Sequence, residues 1–580
     1  MRAEDVNRLS AAGLGVFGLG MGWILAQAGC AGTLRVPGSL DGMGRDLPTE
    51  RRAVREPPSA PPLASAAALP PRPTLPPWVR EQTLDVGAGG SAPLVACEGE
   101  STRLAPNEGG DIVAAPVLAA PVGAVEPSPS PFDPSTMLRW DVGGPNEGLP
   151  DSIRAALGLP GAFDVAAVPV EPLRGSDRAR ERLRAAVTRA QDGEVLTRFA
   201  FWGASHVAGE YFTGEVRRLL QDRWGDGGHG WVMPAPPYPG YRRTGASVCA
   251  TGRWVTDFVS RSGGRNDGLL GVTGMRVEPI DADSAGRVST AASSPNGRTA
   301  SRIGVLWLQQ PEAGAFTVAV DGGAPFRVET SGASGPGGLL LHVPDTAHTV
   351  EVRGTGPTAA APEATAPSTE GAGWGPTRPP ALLGVALERE RGFVLDAMGV
   401  SGRTAGSWIA WDSALLTEAL RWRPPELFVL AYGTNEAADD RMVPERYRAT
   451  LRAALGRARA AMPDAACVLI GPSDRGRELR GRHVIWGPTT HIAQIQREVA
   501  PEFDCLSWDL QAVMGGPGSM YRWKEAGLAA PDLIHLTPGG YKEVARRFVQ
   551  ALDEAAGLAP APTPTTLHGP VLPHLDDPTP

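Results

Sequence analysis

Five residues of this chain have the side chains or backbone that acyl transfer requires: Ser205, Gly402, Asn435, Asp532 and His535. A serine hydroxyl is a weak nucleophile and needs a base, and histidine suits that task near neutral pH. The histidine in turn needs a carboxylate to hold its tautomer and support the imidazolium. Asp532-Leu-Ile-His535 carries both groups on one loop. Backbone N–H groups of Ser205 and Gly402, with the Asn435 amide, would give the oxyanion of a tetrahedral intermediate three donors. The residues sit in four small motifs: Gly203-Ala-Ser205, Gly399-Val-Ser-Gly402-Arg-Thr404, Gly433-Thr-Asn435 and Asp532-Leu-Ile-His535. Taken singly, each also reads as an ordinary turn, an N-cap serine or a surface loop. They gain meaning from where they fall.

Each motif follows a predicted strand. Phe199 to Trp202 is an apolar run, read as a fully buried strand, and the small residues from Gly203 to Ser205 break it. A helical pattern follows, with Val216, Leu219 and Leu220 on one face. A strand, a tight turn and a helix place the serine hydroxyl at the carboxyl end of a parallel strand. Residues 381–386, 392–396, 426–431, 466–470 and 503–508 read as further strands, and 444–462, 490–500 and 540–556 as helices. Alternating strands and helices predict an α/β doubly wound parallel sheet, which places its sites beyond the carboxyl ends of its strands. Between the first and second motifs the period changes to two. Residues 303–308, 315–320, 326–330, 338–343 and 348–352 read as short strands with Gly-rich turns such as Asp321-Gly-Gly. They predict an inserted antiparallel β-sandwich-like module. The glycine- and aromatic-dense stretch 223–233 reads as a shaped loop, and 177–190 as a solvated helix.

Residues 31–135 are rich in Pro, Ala, Ser and Gly, a composition that cannot bury enough apolar surface to offset chain entropy. The expected organisation is a signal peptide or lipoprotein signal at 1–30 and a disordered Pro/Ala-rich tether at 31–135. The first part of the α/β domain follows at 136–250, the β module at 251–355 and a linker at 356–380. The second part of the α/β domain spans 381–556, before a tail at 557–580. The apolar segment at 11–26 has the length of a signal-peptide core and is short for a membrane span. The small residues before Cys30 are similar to a bacterial lipoprotein cleavage box, with Gln27 where leucine is usual. Export is expected, with Cys30 a candidate for lipidation and for anchoring the N-terminus to a membrane. The net charge of -8, without a basic stripe, speaks against nucleic acid. Cys97, Cys249, Cys467 and Cys505 lack zinc-ligand spacing, and an exported chain could pair them in ways the spacing does not assign. No metal or organic cofactor is expected, and the oligomeric state is not readable. His206, His229, His483 and His491 read as structural or surface histidines.

The four motifs, in this order, resemble the blocks of the SGNH hydrolase (GDSL-type esterase) superfamily. The resemblance covers about 195–250 and 381–555 and extends to His535-Leu-Thr-Pro-Gly-Gly-Tyr541. It implies a flavodoxin-like fold, a catalytic Ser205, Asp532 and His535, and an oxyanion hole of Ser205, Gly402 and Asn435. One departure is Ala204, where the family usually has aspartate. The run from Ser205-His206 to Tyr211-Phe-Thr-Gly214, together with the inserted β module, resembles bacterial peptidoglycan O-acetylesterases. That implies an exported, cell-envelope or secreted esterase acting on O-acetyl esters of a carbohydrate, peptidoglycan or exopolysaccharide. An O-acetyltransferase on the same scaffold and a non-catalytic glycan-binding protein are the alternatives.

Overall fold

The structure is a computed structural model that describes residues 74–84, 165–262, 264–355, 378–439, 441–479 and 482–558. The expected signal segment with Cys30, most of the tether, residues 356–377 and residues 559–580 lie outside the described residues.

A five-stranded parallel sheet organises the α/β unit, in the spatial order Gly392–Gly399, Leu196–Gly203, Leu427–Ala431, Ala466–Ile470, Leu506–Trp508. Taken in chain order this is 2-1-3-4-5, the flavodoxin-like arrangement. Its switch point lies between the first and third strands, where such sheets bind their ligands. The Leu196–Gly203 strand shows why the sequence reads as one apolar run. Phe199 and Phe201 point to one hydrophobic cluster, Ala200 and Trp202 to another, and all four are buried. Helices Asp177–Asp192, Tyr211–Trp224 and Pro538–Ala556 cover the first face. Helices Ser413–Trp422, Pro444–Ala461 and Gly487–Val499 cover the second. A strand covered on both faces has no polar side to show. Phe548 locks the first face, with edge-on contacts to Phe201, Phe212 and Trp508 at ring separations of 5.7, 5.9 and 5.2 Å. A disulfide joins Cys467 to Cys505, at neighbouring strands of the sheet.

The β module is a pair of sheets sharing a core. One has five antiparallel strands, in the order Phe326–Glu329, Ala315–Val320, Thr349–Gly354, Ala285–Thr290, Ala246–Thr251. The other has seven strands, centred on Ala300–Gln309, Gly335–Thr346 and Ala381–Glu388. Trp307 of the larger sheet meets Phe316 of the smaller edge-on at 5.6 Å.

Three segments differ from the sequence reading. Residues 381–386 are a strand, but it runs antiparallel in the seven-stranded sheet and not in the parallel one, so the α/β unit resumes at Gly392. Its apolar run is buried on both faces, which makes it indistinguishable from a parallel core strand by composition. The supposed loop 223–233 contains the strand Gly228–Val232, paired with Ala381–Glu388. Its glycines hid it. A Cβ on Gly230 (φ 88°) would lie 2.2 Å from Asp396 Oδ1, so the strand's close approach excludes side chains there. Within the span read as tether, Val79–Thr83 forms a strand parallel to Gly335–Thr346, and Trp78 packs edge-on against Trp422 at 5.7 Å. This strand covers what would otherwise be a free sheet edge.

A buried ion cluster fixes the module against the parallel sheet. Glu388, at the end of the module strand, accepts both arms of Arg198 at 2.7 and 2.9 Å and a further hydrogen bond from Arg423. Burial opposes ionisation of Glu388, but the two guanidiniums outweigh it and hold the carboxyl far below its ordinary range.

Candidate active site

Register explains why the four motifs converge. Gly399 pairs with Gly203, Gly203 with Ala431, Ala431 with Ile470 and Ile470 with Trp508. The chain therefore leaves the sheet at one level on all five strands, and the turns that follow share one edge. Ser205 lies two residues past this row on the first strand, Gly402 three past it on the second, and Asn435 four past it on the third.

The Ser205 turn is tight. Ala204 carries the carbonyl that accepts the N–H of Val207 and Ala208, starting the short helix Ser205–Ala208. Ala204 itself is 4 % exposed and packs in the core. The position usually held by an acid in the family thus holds a buried methyl group. Gly399 makes room for the turn, since a Cβ there would lie 2.2 Å from the Ala208 nitrogen.

Asp532 and His535 come from the loop before the last helix. Asp532 Oδ1 accepts the backbone N–H of Ile534 and of His535 at 3.0 and 2.9 Å, which closes the loop on itself. Leu533 takes a positive φ of 58° to permit this. The loop ends at Thr537, whose hydroxyl caps the Pro538–Ala556 helix by accepting the Gly540 N–H at 3.2 Å. Held this way, His535 Nδ1 lies 2.7 Å from Asp532 Oδ2 and Nε2 lies 2.8 Å from Ser205 Oγ. Partial burial works to raise the Asp532 pKa. The hydrogen bonds from the His535 ring and from the backbone prevail, and the carboxyl lies below its ordinary value. An ionised Asp532 fixes the proton on Nδ1 and leaves Nε2 to accept from the serine. The arrangement can deprotonate a hydroxyl nucleophile.

The loops that carry Gly402 and Asn435 are clasped together. Gly402 has φ 76°, a conformation that favours glycine. Asn435 donates through Nδ2 to the Arg403 carbonyl at 2.8 Å, tying the third loop to the second. Glu436 repeats the tie, accepting from Ala405 N at 2.8 Å and from Gly433 N at 2.9 Å. Arg403 extends it to the β module, donating to the Val259 carbonyl at 3.3 Å and lying 5.4 Å from the Phe258 ring centre.

The structure brings Ser205, His535 and Asp532 into one hydrogen-bonded chain, and it sets Gly402 and Asn435 on adjoining loops. Cys30 lies outside the described residues. Sequence reasoning passed over Glu436, Ser473 and Tyr541. His206 is drawn into this shell, with Nδ1 2.8 Å from the Tyr541 hydroxyl and Nε2 3.3 Å from the Ser473 hydroxyl. Burial, then repulsion from His535, hold its pKa down to about 3. It is therefore a neutral neighbour of the site, in keeping with a structural histidine. Only Tyr541 carried a signal, as part of the Pro-Gly-Gly-Tyr tail.

Among the described residues, no group of three or more His, Cys, Asp or Glu could hold a metal ion. No helix among them is long and apolar enough to cross a membrane.

Comparison with known proteins places this geometry. Residues 368–543 match the family described as GDSL-like lipase/acylhydrolase. That span holds the Gly402, Asn435 and Asp532–His535 loops; the β module separates it from Ser205, which the fold restores to it. Among solved structures, one described as "Peptidoglycan O-acetylesterase in action, 5 min" is similar at 23% identity and a TM-score of 0.51. The match covers 68% of this chain and 97% of that chain. An acetyl xylan esterase is similar at 16% identity and TM-score 0.22, covering 27% of this chain and 80% of that one. A family two carbohydrate esterase from Cellvibrio japonicus is similar at 12% identity and TM-score 0.22, covering 54% and 99%. No curated protein matches the chain. Through residues 368–543 and the flavodoxin-like sheet that carries them, the chain is similar to the GDSL-like lipase/acylhydrolase family of SGNH hydrolases.

Proposed function

We propose that this protein is an exported serine esterase that hydrolyses O-acetyl esters of a carbohydrate, with peptidoglycan the foremost candidate. The observation that carries the reading is the unbroken chain from Asp532 through His535 to Ser205, at the switch point of the sheet. Ser205 Oγ attacks the acetyl carbonyl carbon while His535 Nε2 takes its proton. The new oxyanion is held by the N–H groups of Ser205 and Gly402 and by the second Nδ2–H of Asn435, whose first is held by Arg403. His535 then protonates the departing sugar oxygen, leaving an acetyl group on Ser205. Water, deprotonated by His535, releases acetate and restores the hydroxyl. Asp532 orients His535 throughout and supports its imidazolium.

The carbohydrate class rests on the solved peptidoglycan O-acetylesterase, whose fold this chain shares across most of its length. Export rests on the apolar N-terminal segment. The Cys467–Cys505 disulfide suits an oxidising compartment. The test is acetate release from O-acetylated peptidoglycan beside acetylated xylan. Faster release from peptidoglycan supports the reading. Release from neither, or acetyl transfer to an added glycan in place of release, contradicts it.

A further inference from the structure

The flank of the site formed by Asn435 and the Asp532–His535 loop carries a cation that the reaction above does not use. Arg475 follows the strand Ala466–Ile470, and its position is set from both sides. Its Nη1 donates to the carbonyl of Thr434, the residue before Asn435, at 3.2 Å. The next residue, Gly476, donates its N–H to the carbonyl of Leu533, between Asp532 and His535, at 2.9 Å. A Cβ on Gly476 would press on Leu533 at 3.0 Å, so this seam is closely fitted. Two residues earlier, Ser473 donates to the Ile534 carbonyl at 3.4 Å.

Arg475 is half-buried, its Nε is buried without a hydrogen-bond partner, and no carboxylate pairs with it among the described residues. Its charged neighbours do not neutralise it. Arg477 adds repulsion and itself lies over the Trp486 ring at 4.3 Å. Asp532 attracts it, but that carboxylate is already occupied by His535 and two backbone N–H groups. Burying a guanidinium without a counter-charge is unfavourable, and folds pair such groups unless a ligand supplies the anion. The planar fork of arginine suits a carboxylate held by two parallel hydrogen bonds.

We propose that Arg475 is a specificity-determining residue that binds a carboxylate carried by the glycan close to the acetylated hydroxyl. The inference rests on the esterase reading and deepens it, naming the substrate as an anionic O-acetylated glycan. Two sources share that chemistry: an acidic lactyl or peptide substituent on an amino-sugar chain, and the carboxylate of a uronic acid.

The test measures kcat and KM of the full chain on O-acetylated peptidoglycan fragments, on the same fragments with carboxyls amidated, on acetylated glucuronoxylan, on neutral acetylated xylan and on p-nitrophenyl acetate. Wild type is expected to favour the carboxylated member of at least one glycan pair by about tenfold in kcat/KM, the effect of one charge-assisted hydrogen bond. Which pair shows it identifies the source. In Arg475→Gln that preference collapses, chiefly through KM, while Arg475→Lys keeps part of it. Equal rates on both members of each pair by wild type would overturn the proposal, and this comparison needs no variant to fold. A parallel fall on every substrate in Arg475→Gln would also overturn it, since that marks a structural residue. Absence of p-nitrophenyl acetate turnover by wild type would instead remove the esterase reading beneath it.

Discussion

Glu436 accepts the backbone N–H of Ala405 at 2.8 Å, joining the loop after the third strand of the parallel sheet to the loop that carries Gly402. The same carboxylate accepts the N–H of Gly433, so one side chain sets the spacing of the Gly402 and Asn435 loops without touching Ser205 or His535 by any hydrogen bond of its own. Burial pushes its carboxyl up, against the pull of the Ala405 and Gly433 N–H groups. Replacing Glu436 with Ala strands two backbone donors, at a cost of about 1–3 kcal/mol each if they remain dry. The expected outcome is a lower melting temperature and a fall in kcat on p-nitrophenyl acetate, with KM little changed. Steady-state kinetics of Glu436→Ala and Glu436→Gln check this; the glutamine keeps an acceptor and should recover part of the loss.

Gly399 sets the room available to the Ser205 turn. An added Cβ meets the Ala208 nitrogen at 2.2 Å and the Val207 carbonyl carbon at 2.7 Å, both backbone atoms that yield only if the turn shifts. Gly399→Ala is expected to lower stability by about 1–3 kcal/mol, as overpacking does, and to lower kcat by displacing Ser205 from His535. Urea denaturation and p-nitrophenyl acetate turnover of the variant measure the two effects.

Much of the site was legible because its residues follow strands whose apolar runs mark themselves. Phe199 to Trp202 and the 426–431 run both point to strands, and the motif after each strand could be placed at the sheet edge. What joins the loops was not legible. Glu436 and Ser473 act through backbone atoms of other loops, a relation that spacing in sequence does not encode. The module boundary was misplaced for a different reason. Ala381–Glu388 is apolar on both faces, and composition cannot tell a covered antiparallel strand from a parallel one. Gly228–Val232 was hidden by glycines that its close packing demands, and Val79–Thr83 by the proline-rich sequence around it.

His206 predicts a dependence of stability on pH. The unfolded chain protonates this histidine near pH 6.5, whereas in the fold burial, then repulsion from His535, hold the pKa down to about 3. Between those values the unfolded state binds the extra proton, so the contribution is intact above about pH 6.5 and is lost as the pH falls towards 3. The slope from this group is on the order of 1 kcal/mol per pH unit. His206→Gln should therefore lose less stability than wild type between pH 7 and pH 5. Identical losses in the two proteins, measured by urea denaturation at each pH, would show that the histidine is not held neutral.

The Cys467–Cys505 bond closes a loop with a sequence separation of 38 residues across adjacent strands. Its loss should cost about 2–4 kcal/mol, chiefly by freeing the unfolded chain. The Cys467→Ala/Cys505→Ala double variant is expected to melt lower than wild type yet retain esterase turnover at temperatures where it stays folded, because neither sulfur belongs to the Ser205 site. Thermal melts in parallel with activity assays separate the two.

The central claim is that Ser205 is the nucleophile, served by His535 2.8 Å away. The direct measurement is p-nitrophenyl acetate turnover by wild type and Ser205→Ala, with mass spectrometric mapping of a fluorophosphonate label. The account predicts a label on Ser205 alone and a loss in kcat of about 10⁴-fold or more in the variant. Turnover by Ser205→Ala at the wild-type rate, or a label on a different residue, would contradict it.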